Sequence, residues 1–176
     1  MASVRCAPAS AQVKISNRRA QVYALDKAMY GCDRHTHATI KLGATTNCIA
    51  TARVDHMALA GEVVAYGVDR CGVDTGSTTV MVRRLSDGKR LAGYAAVMGP
   101  IGPESYESVG SLVVKPGGAV AWIATANSII GHGTRIEVDA NGKVLDSGGA
   151  IDRSSRRLHG STLTWRDGST TRSATL

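Results

Sequence analysis

The chain reads as all-β, a small β-propeller of about four blades, and a recurring phrase, hairpin signals and composition lead there. "LAGEVVAY" (59–66) and "LHGSTLTW" (158–165) share a leucine, a glycine two residues on, and a β-prone run closed by an aromatic five residues after the glycine, Tyr66 and Trp165. "GGAVAW" repeats the interval from Gly117 to Trp122, and a weaker copy, "LDKAMY", ends at Tyr30 with Leu25 in the glycine's place. Asp87-Gly88 and Asn141-Gly142 are two-residue hairpin signals, because the favoured turn needs positive φ at both central residues. Twenty glycines and four prolines among 176 residues, with no long 3.6-period apolar run, point to many short strands.

The units follow in order along one domain, residues 1–176. The first (17–52) holds "LDKAMY", the polar loop "CDRHTH" and the strand "ATIKLG". The second (53–97) holds the Tyr66 phrase and a strand pair around Asp87-Gly88; the third (107–150) repeats this with Trp122 and Asn141-Gly142. The fourth (151–176) supplies three strands around Trp165, and "AQVKI" (11–15), alternating polar and apolar, is the candidate for its closing strand. The four aromatics stand 36, 56 and 43 residues apart, and four-stranded units of roughly 40–50 residues mark propeller blades. An open propeller-like sheet stack and a β-sandwich are the alternatives. A chain of this length buries roughly two thirds of its unfolded surface, and with no Phe the space between sheets falls to Val, Ile, Leu and Ala.

Cys6, Cys32, Cys48 and Cys71 are an even set, as expected of two disulfides in an oxidising compartment. Four cysteines allow three connectivities. Cys32 and Cys48 flank one strand, and the expected pairing is Cys32 with Cys48 and Cys6 with Cys71. No stretch reaches the ~20 apolar residues that span a bilayer. The N-terminus lacks the apolar centre of a signal peptide, so the localisation expected, secreted or cell surface, rests on the cysteines and on an export signal already removed.

Chemical motifs are absent: no G-x-S-x-G, no phosphate-cradling loop, no H-E-x-x-H. Cys32, His35 and His37 lie close together, but their spacing does not match a structural zinc site. No metal and no cofactor is assigned. The net charge of +7 comes from dispersed basic residues without interleaved aromatics, which excludes specific nucleic-acid reading and favours weak attraction to anionic surfaces.

If turns alternate between two ends of the units, the long polar loops 32–37, 67–77, 97–110 and 124–133 crowd one end. The candidate ligand-binding residues are then Asp33, Arg34, His35, His37, Asp69, Arg70, Asp74, Tyr106, Asn127 and His132.

"VYALDKAMYGC", "LAGEVVAYGVDRCGVDTGSTTVMVRRLSDGK", "SVGSLVVKPGGAVAWIAT" and "LDSGGAIDRSSRRLHGSTLTWRDGSTTRSATL" together resemble a group of uncharacterised secreted actinobacterial-type proteins with propeller-like repeats. The resemblance implies an exported β-repeat scaffold and no particular activity. The function expected is an extracellular binding or adhesion module recognising a polar or anionic surface ligand, such as a glycan, peptide or protein, through the long-loop face. The alternative is a secreted hydrolase or lyase acting on a polyanionic polymer, with His and Asp from those loops as base and acid.

Overall fold

The computed structural model describes residues 6–49, 51–99, 101, 104–130 and 133–176. Among these, fifteen strands and no helix form four antiparallel units. The first holds β1 (Gln12–Ser16), β2 (Ala20–Leu25), β3 (Ala28–Asp33) and β4 (Thr39–Ala44). The second holds β5 (Arg53–Ala60), β6 (Val63–Cys71), β7 (Gly76–Arg84) and β8 (Arg90–Ala95). The third holds β9 (Ser105–Val114), β10 (Val120–Ser128), β11 (Thr134–Ala140) and β12 (Lys143–Ser147). The last has β13 (Arg157–His159), β14 (Thr162–Asp167) and β15 (Thr170–Thr175).

Each strand pairs antiparallel with the next within its unit. Single parallel pairs, Ala44 with Arg53 and Gly76 with Tyr106, join the first three units into one twelve-stranded sheet, and β13–β15 form a second. The strands follow from side-chain pattern. In β7, Thr78, Val80 and Val82 point inward on alternate residues while their neighbours are partly exposed. β6 and β10 are apolar along most of their length because they lie between sheets and are covered on both faces.

Three buried clusters lie between successive units. One unites Val22, Met29 and Leu42 of the first unit with Val64 and Tyr66 of the second. Another joins Val80 and Val82 to Leu112 and Trp122, and the last joins Ile123 and Val138 to Leu163 and Trp165. Among the described residues no cluster joins the fourth unit to the first. The repeated aromatics occupy the inner strands as expected. The indole N–H of Trp122 donates to Ala96 O (2.7 Å) and that of Trp165 to Asp146 Oδ2 (2.7 Å), so neither buried donor lacks a partner.

The first unit corrects the sequence reading. The N-terminal strand (β1) pairs with β2 and does not close the last unit; β15 pairs with β14 alone among the described strands. The turn that opens the unit is made by Asn17, whose Oδ1 accepts from the N–H groups of Arg19 (2.7 Å) and Ala20 (2.8 Å). An asparagine thus does the work done elsewhere by glycine. The aromatic on the second strand is Tyr23, stacked on Tyr30 across the pair at 5.6 Å. "LDKA" is a real turn, with Asp26 and Lys27 both at positive φ (49° and 63°), but it is the second turn of its unit. Asn141 and Gly142 take the expected left-handed pair (φ 50° and 79°). At Asp87-Gly88 only the glycine is left-handed (φ 71°), and the longer loop closes from Arg84 N–H to Lys89 O (2.9 Å).

The disulfides are Cys6–Cys32 and Cys48–Cys71, not the expected pairing. Residues that flank one strand sit at its opposite ends; the six residues of β4, at about 3.3 Å each, carry the chain roughly 20 Å away from Cys32. Bridged Cα atoms lie 5.7 and 5.0 Å apart here. Two disulfides in an all-β chain match an oxidising environment, and no helix among the described residues is long and apolar enough to cross a membrane.

Candidate functional site

Antiparallel strands deliver their turns alternately to two ends of the molecule, and cross-unit bonds identify which turns share an end. Asn17 Nδ2 donates to Gly61 O (3.0 Å), Leu85 N–H to Glu62 O (2.9 Å), and Lys115 Nζ to Ser161 Oγ (2.8 Å). These bonds gather the tight β1–β2, β5–β6, β7–β8, β9–β10 and β13–β14 turns at one end, the turn end. The β3–β4 loop lies there too, because Arg34 N–H donates to Arg19 O (2.8 Å). At the other, the loop end, Cys71 N–H bonds Cys48 O (2.8 Å) and Tyr106 Oη donates to Val73 O (3.3 Å).

The ten candidates are therefore divided. Asp33, Arg34, His35 and His37 belong to the turn end, and Asp69, Arg70, Asp74, Tyr106 and Asn127 to the loop end. His132 lies outside the described residues. The expectation that all long loops share one end fails for the β3–β4 loop, because overlooking β1 shifts the first unit by one strand.

Several candidates hold structure. Asp33 is fully buried; its Oδ1 accepts from His35 and Thr36 N–H (2.8 Å each) and its Oδ2 from Arg19 Nε (3.2 Å). Burial alone raises this carboxyl, but the Thr36 and His35 N–H groups and Arg19 outweigh burial and hold it below the ordinary range. Asp69 is clamped by Arg53 Nη2 (2.7 Å) and Nε (3.1 Å) and by Thr78 Oγ1 (2.8 Å). Arg34 donates to Gln21 Oε1 (2.9 Å), and Asn127 Oδ1 accepts from Thr134 Oγ1 (3.0 Å). His35, His37, Arg70 and Asp74 are exposed.

At the loop end, between the second and third units, lies an open cleft of about 420 Å³. Arg70, Thr75 and Ser77 form one wall, and Ile101, Glu104 and Glu107 the other. The wall is closed where Gly76 meets Tyr106: a Cβ on residue 76 would stand 2.8 Å from Tyr106 Cδ1, so the glycine lets the tyrosine lie against the backbone. Thr78 bridges the units, its N–H donating to Glu107 Oε2 (2.9 Å) and its hydroxyl to Glu107 O (3.0 Å). Burial pushes the Glu107 carboxyl up, the Thr78 N–H partly offsets this, and repulsion from Glu137 adds to it.

Glu104 and Glu107 fall inside the 97–110 segment that the sequence reads as a loop but are not among its candidates; Glu107 stands on β9, and nothing local signals which way it faces. Glu137 and Asp139 of β11 are missed for the same reason, and both are fully buried. Glu137 accepts from Met98 N–H (2.7 Å), Gly99 N–H (3.2 Å) and Arg135 Nε. Asp139 has no hydrogen-bond partner at either oxygen among the described residues. Burial, then repulsion from Glu137, push its carboxyl up to about 8, against the opposing pull of Arg135.

Cys32 is held in a disulfide, which removes it from any metal set with His35 and His37. Among the described residues no three His, Cys, Asp or Glu side chains gather as a metal site. No histidine among them lines the cleft, so an imidazole–carboxylate pair of the kind expected for the hydrolase reading does not form there. No protein-family model matches the chain, and no curated protein matches it.

Proposed function

We propose that this protein is an extracellular binding module that takes a polar ligand into the loop-end cleft between its second and third units. The observation that carries the reading is the cleft's lining: an exposed guanidinium (Arg70) and hydroxyls (Thr75, Ser77) on one wall face carboxylates (Glu104, Glu107) and one aliphatic side chain, Ile101, on the other. Mixed donors and acceptors beside a single aliphatic side chain suit a sugar or an extended peptide better than an apolar cofactor. Among the described residues Arg70 makes no ion pair, which leaves it available to a carboxylate or sulfate on the ligand.

The four units read as propeller-type blades. Support comes from the repeated four-stranded meander and from the first strands, where β1 packs against β5 and β5 against β9 as the strands nearest a propeller axis would. The two disulfides favour a secreted or cell-surface location, in keeping with the actinobacterial-type secreted proteins that the sequence resembles.

An array of envelope glycans and peptides, probed with the wild type and with Arg70→Ala, tests the function. Selective loss of signal from the variant is expected, and equal signal from both removes the cleft as the site. A second reading, a secreted hydrolase or lyase acting on a polyanionic polymer, draws on Glu107, whose raised carboxyl beside Glu104 has the character of a general acid. Turnover of such a polymer that is abolished by Glu107→Gln would favour it.

A further inference from the structure

The net charge of +7 is unevenly placed. At the turn end three carboxylates, Asp33, Glu62 and Asp87, are held by two arginines: Arg19 reaches Asp33 (3.2 Å) and Glu62 (3.4 Å), and Arg84 reaches Asp87 (3.1 Å) and Glu62 (4.0 Å). Five further cations there, Arg18, Arg34, Lys89, Arg90 and Lys143, are exposed and form no ion pair among the described residues. Lys115 is already engaged, donating to Ser161 Oγ and Leu176 O (2.8 Å each). The five exposed cations project from turns held in one surface: the Asn17–Gly61 and Arg19–Glu62 contacts join the first unit to the second, Gly61 lies beside Pro116 of the third, and Lys115–Ser161 joins the third to the fourth. At the loop end Arg53 is matched by Asp69 and Arg135 by Glu137, and Arg70 shares its cleft with Glu104 and Glu107.

We propose that the turn end is a docking surface for a linear anionic polysaccharide, separate from the loop-end cleft. Unpaired cations spread over successive units match a polymer with charge repeated along its length better than a small anion, which would need convergent donors. A nucleic acid has the same charge but also needs base-stacking aromatics; at this end Tyr23 and Trp122 are buried in the sheets, and the half-buried Tyr94 beside Gly142 already stacks on Trp122 (5.6 Å). The two disulfides suit an oxidising environment, the kind in which carbohydrate polyanions are found.

The test uses heparin as a sulfated chain and polygalacturonate as a carboxylated one, with a single-stranded oligonucleotide of matched charge beside them. Binding is measured against salt for the wild type, for the turn-end triple Arg18→Gln, Arg34→Gln, Lys89→Gln, and for a control triple removing equal charge elsewhere, Lys27→Gln, Arg153→Gln, Arg166→Gln. All six side chains are exposed, and melting curves check that each variant folds. The turn-end triple should weaken polysaccharide binding about tenfold near 0.1 M salt and lower the slope of log K against log salt by about two to three, with the control close to wild type. Arg70→Ala should leave this binding unchanged, so failure of the cleft reading and of this one remain distinguishable. Equal loss in both triples, no binding to either polysaccharide, or tighter binding to the oligonucleotide would each overturn the proposal.

Discussion

Replacing Asp139 with asparagine should stabilise the protein in a pH-dependent way. The carboxyl is fully buried, neither oxygen has a partner among the described residues, and its neighbour on the same face of β11 is the buried Glu137. Its proton is held up to about 8 in the folded chain, while an unfolded aspartate releases its own near ~4. Between those values the folded state binds the extra proton, so stability falls as pH rises, by up to about 1.4 kcal/mol per pH unit, and levels off above the folded value. The carboxamide of the variant does not titrate. Asp139→Asn should therefore lie within about 1 kcal/mol of wild type at pH 5 and exceed it by an amount on the order of 3 kcal/mol at pH 8, an increase of roughly 6–12 °C in melting temperature for a chain of this size. Urea titrations at pH 5, 6.5 and 8 measure it. Parallel stability-against-pH curves for the two proteins would refute the reasoning, because they would mean that Asp139 is solvated or ionised in the fold.

Three further outcomes follow from the packing. Gly76→Val should push Tyr106 off Val73 O, destabilise by about 1–3 kcal/mol through overpacking and alter ligand capture at the cleft, read by denaturant melts and the array. Trp122→Ala should cost about 3–5 kcal/mol and strand the Ala96 carbonyl that the indole now serves; a loss below about 1 kcal/mol would deny the second-to-third-unit core its central role. The denatured, unreduced protein should show no reactive thiol, and opening either disulfide by paired Cys→Ser replacement should lower stability by about 3 kcal/mol, since each closes a similar loop (sequence separations 26 and 23).

The sequence made the repeats visible where chemistry and geometry coincide. Gly61 and Gly160 mark turns that need positive φ, Tyr66 and Trp122 mark strands covered on both faces, and Trp165 marks the middle strand of the last sheet. In the first unit the turn is made by the Asn17 side chain, and two tyrosines compete for the marker position, so the pattern locks on one strand late. That single slip moves Asp33, Arg34, His35 and His37 to the wrong end and makes β1 look like a closing strand. The cleft was only half legible. Arg70 and Tyr106 lie beside long polar loops, whereas the directions of Glu107 and Asp139 depend on which sheet packs over them, and no local pattern carries that.

Because each buried cluster spans only two successive units, the molecule has the energetics of a one-dimensional array: intrinsic terms for each sheet plus a term for each junction. Among the described residues the inner sheets enter two junctions and the outer sheets one. Protection against hydrogen exchange should therefore peak in β6 and β10 and decline outward to β1 and β15, so that the ends open before the middle. An opening that begins at either end reaches the cleft last, since its two walls belong to the two units with neighbours on both sides.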